Sequence, residues 1–210
     1  MSAMLEQEPV QTITRPVPRS QRGPASRNVT TAYGMWLFLL SDIVMFSAFF
    51  AAFVVLRDHT AGGPDGRMLF HRHTVLVETA CLLFSSFSCA LFGLGVEYRH
   101  RLATYAAGAA TLALGAAFMV LEVSEFTHMI AIGAGPGRSA FLSGFFALVG
   151  LHGIHVACGM LWLLVMLAQV ATLGFLPKVA RRLQCFALFW HAIDIVWVGV
   201  FTVVYLGAFT

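Results

Sequence analysis

The sequence predicts an all-α integral membrane protein, a bundle of five transmembrane helices. Three observations predict it. Of the 210 residues, 59% are hydrophobic and only 11% are Asp, Glu, Lys or Arg, whereas a soluble domain carries about a quarter charged residues and under half apolar. The mean hydropathy is +0.80. The apolar residues gather in five runs, at residues 32–56, 74–97, 103–130, 140–172 and 183–208. A soluble domain of this size lacks the interior to hide so much apolar surface. The composition excludes a disordered chain, a nucleic-acid-binding domain and an ordinary soluble enzyme. The formal net charge of +3 is too small to imply a polyanionic partner.

Residues 1–30 contain Pro16, Pro18 and Pro24 and no apolar stretch of the kind a secretory signal needs. They read as a flexible polar cytoplasmic tail, which leaves 31–210 as the transmembrane domain. Each apolar run supplies the roughly 20 residues that a membrane-crossing helix requires. None alternates apolar with polar residues as a barrel strand does. The first connection, Arg57 to His73, holds Gly62, Gly63, Pro64, Asp65 and Gly66; the second is little more than Tyr98 to Leu102. The third carries Gly133, Gly135, Pro136 and Gly137, and the fourth runs from Gly174 to Arg182 around Pro177. Connections this short make neighbouring helices antiparallel in one bundle. The third run is rich in small residues, from Ala106, Ala107 and Gly108 to Gly115, Ala116 and Ala117. Small residues permit close backbone approach in lipid, so this helix is expected in the bundle interior. The four cysteines, Cys81, Cys89, Cys158 and Cys185, lie in or beside apolar runs and read as buried thiols.

Basic residues set the orientation. Arg15, Arg19, Arg22 and Arg27, then Arg99 and Arg101, then Lys178, Arg181 and Arg182 place nine on one side; Arg57, Arg67, Arg72 and Arg138 place four on the other. The positive-inside rule puts the N-terminus in the cytoplasm and the C-terminus in the periplasm.

The chemically informative residues are ionisable groups inside the runs: Asp42, Glu78, Glu122, Glu125, His128, His152, His155, His191 and Asp194. A charge at a helix centre costs about 2.5–3.5 kcal/mol on insertion scales, so such groups persist when protonated, paired, hydrated or useful. At 1.5 Å per residue Asp42 lies about 15 Å into its run. His152, His155, His191 and Asp194 reach a similar depth, whereas Glu78, Glu122, Glu125 and His128 fall in the outer half. Two polar layers are therefore expected. Glu122, Glu125 and His128 recur every third residue, as do His152/His155 and His191/Asp194, and each set is expected to share a helix face. Interhelical hydrogen bonding explains these sets most simply. A di-iron site wants two Glu-x-x-His units and two further glutamates, and only Glu125/His128 supplies such a unit. His191 with His152 or His155 is a conceivable haem pair. Asp42 reads equally well as a proton relay or as a protonated carboxyl bonded to a neighbouring helix. A stand-alone haem or metal membrane protein is the competing class. A transporter is disfavoured by the lack of internal repeats and of proline inside the runs.

Several blocks, in order, resemble one family. They are Gly34-Met-Trp-Leu-Phe-Leu-Leu-Ser41-Asp42, Thr60-Ala-Gly-Gly-Pro64, Leu76-Val-Glu78-Thr and Gly135-Pro136-Gly-Arg138-Ser-Ala-Phe-Leu-Ser143. Further blocks are Phe145-Phe-Ala-Leu-Val-Gly-Leu-His152-Gly153-Ile-His155 and Phe189-Trp190-His191-Ala-Ile-Asp194-Ile-Val-Trp197, continuing into Phe201-Thr-Val-Val-Tyr205-Leu. Together they resemble subunit III of the haem–copper respiratory oxidases, on the branch of the cytochrome bo-type ubiquinol oxidases. Asp42 stands where many cytochrome c oxidase relatives carry glutamate, and the first two of their seven helices have no counterpart here.

The resemblance implies a non-redox accessory subunit of a proton-pumping ubiquinol oxidase in the bacterial inner membrane. Haem and copper would reside in subunit I, and no cofactor, metal or catalytic residue is expected in this chain. The implied partners are subunit I, the other oxidase subunits and membrane phospholipids. His152, His155, His191 and Asp194 would bond helices together. Asp42, Glu78, Glu122 and Glu125 would serve lipid or proton-related roles. A cytochrome c oxidase subunit III is the alternative within the family.

Overall fold

The computed structural model describes residues 27–62, 69 and 72–209. The tail arginines Arg15, Arg19 and Arg22 and the turn residues Gly63, Pro64, Asp65, Gly66 and Arg67 lie outside the described residues. Five long helices follow one another: α1 (Arg27–Leu56), α2 (Arg72–Glu97), α3 (Arg101–Ala131), α4 (Ala140–Leu173) and α5 (Pro177–Val200). The chain then widens into one π-helical turn, Phe201–Leu206, before a last short helix, α6 (Gly207–Phe209). With the π turn counted into α5, all five are long and apolar enough to cross a membrane.

The boundaries follow local chemistry. His100 caps α3 by accepting a hydrogen bond from the Ala103 amide at 3.2 Å, and Ser139 caps α4 through the Leu142 amide at 3.2 Å. Gly174 ends α4 with a positive φ of 68°. The fourth connection shrinks to three residues, because α5 begins at Pro177 rather than near 183. Proline's fixed φ and missing N–H suit the first position of a helix. Lys178, Arg181 and Arg182 thus decorate the opening turns of α5, not a loop.

α2 and α3 form the most intimate pair, and α5 packs against α4, α2 and α1. Small residues set the α2–α3 spacing. A Cβ on Gly95 would come within 2.9 Å of the Thr104 backbone nitrogen, and the Ser88 hydroxyl donates to the Ala107 carbonyl at 2.9 Å. α1 is the least buried of the five helices. The small residues of α3 do not place it in the interior. Thr104, Gly108, Thr111 and Gly115 are buried on one face, while Ala106, Ala109, Ala110, Ala113 and Ala117 lie exposed on the other. Lipid imposes no penalty on an exposed alanine, so a small side chain does not mark a buried one. Cys158 is likewise exposed, and all four thiols are free.

Candidate functional site

α2 is the polar spine of the bundle. Its Thr79 accepts from the Trp197 indole at 3.1 Å, its Ser85 from the Trp190 indole at 3.1 Å, and its Ser86 pairs with the His191 Nδ1 at 2.6 Å. Thr79 pairs high on α5, at 197, and Ser85 and Ser86 pair lower, at 190 and 191, so one antiparallel packing satisfies all three bonds. Trp190 is held on its other side by absent side chains. A Cβ on Gly159 would sit 2.9 Å from its ring and one on Gly115 would sit 3.2 Å away.

At the end of the bundle near the α3–α4 connection, Glu78 of α2 and Glu122 and Glu125 of α3 converge with Tyr205 of the π turn. Their exposures are 0%, 3%, 9% and 1%. The Tyr205 hydroxyl donates to Glu125 Oε2 at 3.2 Å, and the carboxyls of Glu78 and Glu122 lie within electrostatic range of it. Glu122 rests on α4: a Cβ on Gly153 would meet its Oε1 at 2.6 Å. Among the described residues, both oxygens of Glu78, Oε2 of Glu122 and Oε1 of Glu125 find no hydrogen-bond partner. Orphaned oxygens of this kind cost about 1–3 kcal/mol each unless internal water or a shared proton satisfies them. The arrangement is therefore suited to holding and exchanging protons inside the membrane. Among the described residues no group of three or more His, Cys, Asp or Glu is placed to hold a metal ion.

His128 is exposed, whereas Glu122 and Glu125 are buried. Each three-residue step leaves a residue about 60° behind the last, so two steps carry His128 off the face that Glu122 occupies. The central layer also divides. Asp42, half-buried on α1, has His155 of α4 as its electrostatic neighbour. The His155 ring packs 5.1 Å from Phe46, and its Nδ1 meets the Leu151 carbonyl at 2.8 Å. His191 and the buried Asp194 instead face Ser86 on α2. His152, fully buried, has His155 as its electrostatic neighbour on the same helix. It lies in an aromatic box, 5.5 Å from Phe118 and 5.0 Å from Trp197, and neither nitrogen has a well-formed hydrogen bond among the described residues, although the Ile193 backbone lies close enough to act on the ring. The expected central layer thus divides into a group between α1 and α4, around Asp42 and His155, and a group between α2 and α5, around Ser86, His191 and Asp194. Tyr205 and Ser86 went unassigned from sequence. The adjacent hydroxyls Ser85 and Ser86, facing a tryptophan- and histidine-bearing helix, are the available signal for Ser86.

A family profile described as cytochrome c oxidase subunit III matches residues 22–209. The chain is 51% identical over 179 residues to the cytochrome bo(3) ubiquinol oxidase subunit 3 of Pseudomonas aeruginosa, covering 84% of each chain. It is 41% identical to the quinol oxidase subunit 3 of Bacillus subtilis, covering 82% of this chain and 85% of that one. It is 39% identical to the cytochrome c oxidase subunit 3 of Bacillus sp. PS3, covering 82% and 84%.

Proposed function

The chain belongs to the cytochrome c oxidase subunit III family, and from that premise we propose that it is the non-redox accessory subunit of a proton-pumping terminal ubiquinol oxidase. The observation that carries this reading is the 51% identity to a ubiquinol oxidase subunit 3 across 84% of both chains. The chain sits in the bacterial plasma membrane with its N-terminus in the cytoplasm, in keeping with nine basic residues on that side against four on the other. It stabilises subunit I, which carries haem and copper, and it binds phospholipid and supports proton uptake. Asp42, Glu78, Glu122 and Glu125 serve the proton- or lipid-related part of this work. The sealed position of the three glutamates beside Tyr205 supports a protonic role for them. His155, His191 and Asp194 serve the bonding between helices, which their contacts to α1 and α2 favour. His152 is assigned to the same bonding role and reaches its neighbours through ring contacts.

Co-purification tests the proposal. The chain, tagged and extracted in mild detergent, brings with it a larger subunit containing haem and copper, and the complex oxidises ubiquinol. The separated chain shows no haem absorbance. Stoichiometric haem on the separated chain, lost in His155→Ala or His191→Ala, would overturn the assignment. A complex that oxidises cytochrome c instead would move it to the other branch, the reading favoured by the 39% identity to a cytochrome c oxidase subunit 3.

A further inference from the structure

The carboxyl cluster lies close to one face of the membrane. Counted from the midpoints of α2 and α3, Glu78 stands about 10 Å, Glu122 about 9 Å and Glu125 about 14 Å toward the α1–α2 and α3–α4 connections. Half of a hydrocarbon core is about 15 Å. The cluster is thus about 1–6 Å from the headgroups on that side and about 24 Å or more from those on the other. The far side is the basic face, with Arg99, Arg101, Lys178, Arg181 and Arg182.

A layer of rings separates the cluster from the middle of the bundle. Phe118 of α3 meets His152 of α4 edge-on at 5.5 Å and Trp197 of α5 edge-on at 4.7 Å, and His152 and Trp197 lie 5.0 Å apart. None of the three is more than 1% exposed, and Thr79 of α2 holds the Trp197 indole. Four helices therefore contribute to the layer. Along α3, Phe118 precedes Glu122 by about one turn, so the rings lie on the inner side of the carboxyls. Toward the connections the cover thins, from 0% exposure at Glu78 and 3% at Glu122 to 9% at Glu125.

Glu122 and Glu125 share α3. Glu78 comes from another helix, is completely buried, keeps both oxygens without a partner and stands within electrostatic range of the other two. Among the described residues no cation pairs with any of the three. From α4 the cluster meets the bare backbone at Gly153, and α1 packs on α4 and α5 instead. The titratable groups that face one another here are the three carboxyls and the Tyr205 phenol, with His152 in the ring layer. The Tyr205 hydroxyl is already given to Glu125 Oε2, which leaves four orphaned oxygens in one sealed place. A buried water makes about three hydrogen bonds to polar groups of this kind. Like charges without a counter-charge in a low dielectric repel too strongly to be present together, so protons belong to the site as well.

We propose that Glu78, Glu122, Glu125 and Tyr205 bind a water molecule that carries a shared proton, exchanged through Glu125 with the face of the α1–α2 and α3–α4 connections and closed to the basic face by the ring layer. This deepens the protonic reading given above and rests on it. With the basic face in the cytoplasm, the exchange is on the side where a pump releases protons.

The whole complex is reconstituted in vesicles of one orientation, read from a protease-cleavable tag on the C-terminus. Infrared spectra are followed while the pH of one compartment is stepped, and the cluster's bands are taken as the difference between wild type and Glu125→Gln. Acid on the connection face raises the carboxyl band and shifts a water band that moves again in heavy-oxygen water. The same step on the basic face changes neither band until the compartments equilibrate. Glu78→Leu and the shape-preserving Glu122→Gln each remove the water band, and His152→Leu keeps the sidedness. A response to the basic face, or a wild type whose cluster shows no water band sensitive to heavy oxygen, overturns the proposal. Ubiquinol oxidation is measured on the same vesicles. Turnover without a sided response refutes this site alone, and a complex without turnover refutes the wider reading with it.

Discussion

Tyr205, in the π-helical turn, donates its hydroxyl to Glu125 on α3 across 3.2 Å, with both residues buried. This bond ties the end of the fifth helix to the third at the level of the carboxyl cluster. Tyr205→Phe removes the donor and leaves Glu125 with a second unsatisfied oxygen, at a cost of about 1–3 kcal/mol. The thermal midpoint of the detergent-solubilised protein falls, and adding Glu125→Leu restores most of the loss. An unchanged midpoint in Tyr205→Phe would remove the bond from the list of stabilising contacts.

Two glycine-to-alanine changes of equal size have unequal consequences. At Gly95 the new methyl meets the Thr104 backbone at 2.9 Å, so α2 and α3 must part. Overpacking of this kind costs about 1–3 kcal/mol. At Gly153 the nearest atom is Glu122 Oε1 at 2.6 Å, the far end of a flexible side chain. Gly153→Ala turns that carboxyl aside at smaller cost. Unfolding midpoints rank Gly95→Ala below Gly153→Ala, while only Gly153→Ala shifts the carboxyl stretching band in the infrared.

Trp190 is seated between Gly115 and Gly159 and bonded to Ser85. Ser85→Ala orphans the indole N–H and lowers stability by about 1–2 kcal/mol. Gly159→Ala acts on the ring itself and costs more, because a packed indole cannot swing away. Tryptophan fluorescence checks both, since a displaced indole shifts its emission.

Neither His152 nitrogen has a well-formed hydrogen bond among the described residues, the Ile193 backbone being the nearest polar group that acts on the ring. Replacing a buried polar group by an apolar one of similar volume is nearly neutral or stabilising when the polar group was unpaired. His152→Leu therefore keeps or raises the unfolding midpoint. A clear fall would show that the ring is satisfied after all, by the Ile193 backbone or by a partner outside this chain.

Much of the architecture was legible because lipid permits few solutions: five long apolar runs can cross only as helices. The start of α5 was misplaced because the basic, proline-bearing segment from Pro177 to Arg182 looks like a loop, although proline and charge are both tolerated in a first turn. The small residues of α3 do not reveal its position, because alanine serves equally well toward lipid and toward protein. The ionisable residues themselves were visible, since each is costly in a membrane. Which of them meet was not visible. Periodicity ranks residues on one helix, but the rotation of each helix against its neighbours depends on packing such as Gly153 under Glu122. The π turn left no trace in the pattern at all.

That π turn has a consequence for how the chain tolerates change in length. A widened turn carries one residue more than the α-helical path would need, so everything after Val200 runs out of phase with everything before it. Trp197 and Tyr205 keep their rings 6.1 Å apart across this phase shift, one addressing α2 and the other α3. Removing a single residue between Phe201 and Tyr205 would restore regular winding and leave Tyr205 on its present bearing toward Glu125, whereas the same deletion in a regular helix would rotate it by about 100°. At this point of the sequence the helix carries a residue in reserve.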